Sequence, residues 1–257
     1  MKVTPAFARR LGELSPASDA FWLAGMGTGL GLTVVAAFLP LPAGGGTACA
    51  YLGLLVRSAL YLRAGETLSG RGGAVLAGLL RLGLVAGLFE LVVDWWLVAC
   101  VANGRLDYLH ARDVVLLVSP IWMPLAWACV IVELGYPAIR LFGILRARTT
   151  AGRAAALASA ATGVGAGITV GFYEYFAFRA GWWKYAPAHA MIGSFCALFI
   201  PVGEALMFLA ILPVTARAFS REDRPVASAI EGGATFAAAI FAGYAVAYVL
   251  LELGRIP

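Results

Sequence analysis

The chain has 257 residues, 61% of them hydrophobic and only 13% charged, with a mean hydropathy of +0.86. Water-soluble domains carry roughly 25% charged residues, so this composition excludes an ordinary soluble enzyme and points to a membrane protein. The formal net charge of +5 is spread over several short basic loops, which excludes a nucleic-acid patch and reads as topology and lipid-headgroup contact.

Residues 1–20 (MKVTPAFARRLGELSPASDA) are polar and read as a cytoplasmic segment. Seven apolar stretches follow, at roughly 21–39, 47–63, 74–101, 113–139, 154–178, 189–216 and 232–253, each near or above the ~20 residues that cross a bilayer. The second is short and carries Arg57. The longest polar stretch, 217–231, reads as a cytoplasmic loop. The expectation is therefore one integral membrane domain over 1–257: an all-α polytopic bundle of seven transmembrane helices. Its 31 glycines suit close helix packing and are compatible with a monomer or a dimer.

Basic residues orient the bundle. Lys2, Arg9, Arg10, Arg63, Arg71, Arg140, Arg146, Arg148, Arg153, Arg217, Arg221 and Arg224 fall on one side, and Arg105, Arg112, Arg179, Lys184 and Arg255 on the other. The positive-inside rule then puts the N-terminus in the cytoplasm and the C-terminus outside, in a plasma (inner) membrane. Arg57 and Arg81 are expected to snorkel to the cytoplasmic interface.

A weak internal match appears at an offset of 77. Gly104-Arg-Leu-Asp-Tyr108 aligns with Gly181-Trp-Trp-Lys-Tyr185, and Pro124 with Pro201. Units 74–146 and 151–223 would form a parallel tandem repeat of helical hairpins, though four positions in a biased composition leave duplication and chance both open. Both prolines read as mid-helix breaks bordering a cavity, with Trp127 and Glu204 at equivalent places three residues on.

Four carboxylates, Glu90, Asp94, Glu174 and Glu204, lie inside the apolar stretches. An ionisable group at bilayer depth costs about 2.5–3.5 kcal/mol on insertion scales, so it tends to face a cavity and serve a function. Glu90 and Asp94 share a helix face one turn apart. They would repel if both were ionised; the alternative reading is an ion pair with Arg57 or Arg81. Carboxyl groups in apolar surroundings stay protonated and act as general acids. Glu133 lies where Arg140 could stabilise it, and Glu231 and Glu252 read as solvated.

Aromatic residues crowd the outer half. Trp182, Trp183, Tyr108 and Tyr185 read as an interfacial belt. Trp95, Trp122, Trp127 and Tyr173 read as pocket lining, where an aromatic face steadies a carbocation by about 2 kcal/mol when dry. Cys49, Cys100, Cys129 and Cys196 have no CxxC spacing and read as small apolar side chains. With only His110 and His189, the histidine clusters of membrane di-iron enzymes are missing, as are aspartate-rich magnesium motifs, Walker loops and dinucleotide fingerprints. No metal or cofactor is expected.

The stretch 181–214 (GWWKYAPAHAMIGSFCALFIPVGEALMFLAILPV) resembles the heterodimeric-type lycopene cyclase domain of membrane carotenoid enzymes. That family carries G-x-W, a spacer, then P-[IV]-E-E-x-x-F-F on the next helix. Pro201, Val202, Glu204 and Phe208 match, while Gly203 stands where the family has its first Glu. The chain is similar, more loosely, to integral-membrane cyclases of meroterpenoid pathways. The resemblance implies a metal-independent isoprenoid cyclase or isomerase acting on a hydrophobic, lipid-like molecule. The acids at bilayer depth, Glu204, Asp94, Glu90 and Glu174, are the catalytic candidates, and Glu204 is the one that the resemblance also marks. Trp95, Trp127, Tyr173, Trp122 and Phe208 are then the substrate-binding candidates. The alternative is a small proton-coupled or solute carrier whose acids form a relay.

Overall fold

The computed structural model describes residues 3–109, 113–221 and 224–253. His110, Lys2, Arg112 and Arg255, which entered the sequence reading, lie outside them. The chain folds as a helical bundle. Among the described residues, six helical segments are long and apolar enough to cross a membrane: Pro16–Phe38 (α2), Gly73–Ala99 (α4), Met123–Arg146 (α5), Ala151–Ala180 (α6), Phe199–Ala218 and Pro225–Leu253. The fifth divides into α7 (Phe199–Phe208) and α8 (Ile211–Ala218), and the last is α9 (Pro225–Tyr248) closed by a π-turn at Val249–Leu253. A further helix, α3 (Gly45–Thr67), has the same 23-residue length as α2, but its composition falls short because Arg57 and other polar residues interrupt it.

Within the polar start, Pro5–Glu13 forms an amphipathic helix (α1) capped by Thr4, and its Phe7 is fully buried, stacked on Phe142 at 5.9 Å between centroids. The helical bundle also carries a little β structure. Three short antiparallel ribbons lie at the end of the bundle where α4 stops and α5 starts. In them β1 (Leu106–Tyr108) pairs with β4 (Trp183–Tyr185), β2 (Val115–Leu116) with β3 (Ser119–Pro120), and β5 (Met191–Ile192) with β6 (Cys196–Ala197). In the first ribbon Asp107 stands opposite Lys184.

One expectation is corrected: Pro124 and Pro201 do not kink helices. Segments 113–122 and 189–198, expected to be helical, hold the β2–β3 and β5–β6 hairpins, so α5 begins at Met123 and α7 at Phe199. Each proline thus sits in a first turn, where no N–H is needed. The proline inside α5 is Pro137. Its ring removes the N–H that would bond the carbonyl of Glu133, and the Trp22 indole donates to that oxygen at 3.1 Å instead.

The hub is α4, which packs on α3, α5 and α9. Glycines set its distance from α5. A Cβ at Gly87 would stand 2.5 Å from the Pro124 carbonyl oxygen and 2.7 Å from its Cα, and one at Gly83 would stand 2.7 Å from the Ala128 Cα. These are backbone atoms, which cannot step aside. Gly87→Ala is therefore expected to destabilise the bundle by about 1–3 kcal/mol in thermal unfolding. Gly165→Ala, with nothing within 4 Å of its Cβ, should leave the melting temperature unchanged.

Candidate functional site

The ends of α4, α6 and α7 nearest the ribbons enclose a cavity of about 140 Å³, completed by α2, α3, α5, α9, β1 and β4. An engineered cavity of about this size admits one benzene ring. Glu90, Asp94, Glu174 and Glu204 all line it. They arrive from three helices, and the most exposed of them, Glu174, is 6% accessible.

The ribbons supply donors to these acids. Tyr108 of β1 and Ser119 of β3 both donate to Asp94 Oδ2, each at 2.5 Å. The Trp183 indole of β4 donates to Glu174 Oε2 at 2.6 Å. From α9, the Tyr244 hydroxyl donates to Glu204 Oε1 at 2.5 Å. Burial pushes the Tyr108 and Tyr185 phenols well above their ordinary values, so both hydroxyls keep their protons as donors.

The acids are not equally served. Asp94 has two hydroxyl donors on one oxygen, with Glu90 beside it. Glu90 Oε2 and Glu204 Oε2 are buried and, among the described residues, make no hydrogen bond. One carboxylate is thus well supplied with donors, while two others each keep an oxygen uncommitted among the described residues.

Of the aromatic candidates, Trp122, Trp127 and Tyr173 line the cavity. Two candidates are corrected. Trp95 is 48% exposed on the outer face of α4, because it follows Asp94 by one residue and so points about 100° away from the cavity. Phe208 is fully buried against Phe236, 5.3 Å between centroids, one turn beyond the cavity-facing part of α7. The belt reading is also corrected: Tyr108, Trp182, Trp183 and Tyr185 line the cavity.

Arg57 neither snorkels nor pairs with Glu90 or Asp94. It is buried and binds Glu133 Oε1 through Nη1 at 2.5 Å, and its Nε donates to the Gly53 carbonyl at 3.1 Å. The Tyr173 hydroxyl donates to the other Glu133 oxygen at 3.3 Å. Arg140, expected near Glu133, pairs with Asp19 at 2.9 Å. Glu252 is not solvated: it is 3% exposed and accepts from the His189 backbone N–H at 2.9 Å. Glu231 is at the surface as expected, bound to Arg217 at 2.6 Å and also to Arg221.

Tyr244 and Ser119 were missed by the sequence reading. Gly203 makes room for the Tyr244 ring, which a Cβ there would meet, but no pattern in the sequence links the two positions. Ser119 offered no signal either. Among the described residues, no three His, Cys, Asp or Glu side chains stand close enough to hold a metal ion.

A family model described as a domain of unknown function (DUF6989) matches residues 91–251, more than half of the chain. That span contains Asp94, Glu174 and Glu204, and Glu90 lies one residue before it. No curated protein and no solved structure matches the chain.

Proposed function

The chain belongs to the DUF6989 family, a domain of unknown function, and from that premise and the cavity's geometry we propose that it is a membrane-embedded isoprenoid cyclase or isomerase. The carrying observation is the convergence of four buried carboxylates on one aromatic-walled cavity, with Glu90 Oε2 and Glu204 Oε2 uncommitted. The similarity of residues 181–214 to lycopene cyclase domains supports the same reading.

In this proposal Glu204 carries the reacting proton. Its Oε1 is held by Tyr244, which fixes the rotamer and leaves Oε2–H free to face the substrate. The proton adds to one carbon of a terminal alkene. The π electrons of a second alkene close the ring onto the resulting cation, forming one C–C bond. The faces of Trp122 and Trp127 and the charge of Asp94 hold the positive charge while it exists. A neighbouring C–H then gives its proton to a cavity carboxylate, Asp94 being the best placed, and its electron pair becomes the new double bond. The product is an isomer of the substrate; the carboxylate that took the proton releases it to water and Glu204 is reprotonated from water, which resets the site. Glu174, fixed by Trp183, adds negative potential at the same wall. A cavity sized for one ring suits the end of a chain whose remainder stays among lipids.

The bundle is read as seven spans, α3 included, with the N-terminus cytoplasmic and the ribbons outside, in the plasma (inner) membrane. The clustering of Arg63, Arg71, Arg146, Arg148 and Arg153 at the opposite end supports this orientation. The 77-residue tandem repeat belongs to the same reading. It is supported by β1 pairing with β4 about Asp107 and Lys184, positions that are 77 apart, and by left-handed glycines at 104 and 181, with φ of 65° and 70°.

The test is a comparison of lipid extracts from a polyisoprenoid-producing host with and without this chain. A new lipid of unchanged mass and altered retention supports the proposal. An unchanged profile, together with proton-coupled solute uptake into vesicles holding the purified chain, would favour the carrier.

A further inference from the structure

Near the Gly73 end of α4, away from the acid cavity, α1, α4, α8 and α9 leave a second groove of about 180 Å³. Arg10, Arg81 and Arg221 line it, with Ala77, Gly78 and Phe219 as its apolar wall. A Cβ at Gly78 would stand 2.6 Å from the Phe219 ring, so the glycine lets that ring close the wall.

Two of the guanidiniums meet carboxylates: Arg10 binds Glu13 at 2.9 Å, and Arg221 binds Glu231, which Arg217 also engages at 2.6 Å. Arg81 is exposed, and among the described residues it makes no hydrogen bond or ion pair. It lies eight residues along α4 from Gly73, about 12 Å at 1.5 Å per residue. A guanidinium at that depth on a lipid-facing wall is costly unless an anion meets it. From Arg81 the same helix face continues through Leu84, Leu88 and Val92, which are 42%, 51% and 60% exposed. A cationic groove opening onto an apolar track has the shape of an amphiphile: an anionic head with a hydrocarbon tail.

We propose that this groove binds the phosphate of an anionic phospholipid from the adjacent leaflet, with one acyl chain along Leu84, Leu88 and Val92. Phosphate oxygens accept from the Arg81 fork while Arg10 and Arg221 flank them. The assignment does not depend on the chemistry of the acid cavity. It makes bound lipid a structural element tying α1 and α8 to α4.

The experiment is native mass spectrometry of the full chain released from non-ionic micelles after addition of phosphatidylglycerol, phosphatidylcholine or inorganic phosphate. The parent should retain one phosphatidylglycerol in preference to phosphatidylcholine. Arg81→Gln should reduce that retention about fivefold, the equivalent of one basic residue at an anionic surface, and Arg81→Lys should keep most of it. Because Arg81 makes no hydrogen bond or ion pair among the described residues, the Gln variant should melt with the parent in lipid-free micelles, and the two-lipid comparison on the parent stands without any variant. Equal retention of both lipids, or retention unaffected by Arg81→Gln, would overturn the site. Displacement of phosphatidylglycerol by millimolar phosphate would overturn the lipid assignment in favour of free phosphate.

Discussion

Glu204→Gln is expected to lower formation of the cyclised isomer by about 10²–10⁴-fold while leaving the fold intact. The substitution is isosteric, and the Gln carbonyl oxygen can still accept from the Tyr244 hydroxyl that now bonds Oε1 at 2.5 Å. What disappears is the transferable proton on the oxygen that has no hydrogen-bond partner among the described residues. The loss should fall on kcat more than on KM, because the acid is used in reaching the transition state and adds little to binding of an apolar chain. The check is product formed per mole of purified chain in defined lipid, with melting temperature recorded in parallel. A variant that melts with the parent yet turns over at the parent rate would remove Glu204 from the chemistry.

Arg57→Met is expected to cost about 3–5 kcal/mol of stability, the largest structural effect of any single change considered. Arg57 and Glu133 are 7% and 3% exposed, and their ion pair joins α3 to α5 across the inner wall of the cavity. Removing the cation strands a buried carboxylate whose remaining donor, Tyr173, is 3.3 Å away. The double variant Arg57→Met/Glu133→Leu should recover most of the loss, since an apolar pair of similar volume needs no neutralisation. Denaturation in mixed micelles measures both. If the single variant were as stable as the parent, the pair would not be what holds α3 in place.

The membrane bundle was legible because it rests on composition and length, which need no tertiary information. The acid cluster was legible too: Glu90, Asp94, Glu174 and Glu204 are anomalous where they stand, and anomalous carboxylates converge. The ribbons were not legible. Segments 113–122 and 189–198 are apolar enough to read as extensions of the helices that follow, and only Pro124 and Pro201 mark the true helix starts. A proline after an apolar run reads equally as a mid-helix break or a first turn, and the partner strand that decides between them lies far along the chain. That ambiguity hid Ser119 and turned Tyr108, Trp182, Trp183 and Tyr185 into a belt. Trp95 and Phe208 failed for another reason. Nearness in sequence to Asp94 and Glu204 says nothing about helix face, and one or four residues on decides whether a ring meets the cavity, the core or lipid. Arg57 was misassigned because its partner, Glu133, is 76 positions away and no local pattern links them.

The most direct test of the central claim is deuterium uptake. Membranes holding the chain, supplied with an acyclic polyisoprenoid in heavy water, should give an isomeric product carrying one deuterium per ring formed, bonded at the carbon that receives the proton. An isomer free of deuterium, formed through many turnovers in heavy water, would contradict proton-initiated cyclisation by a cavity carboxylate.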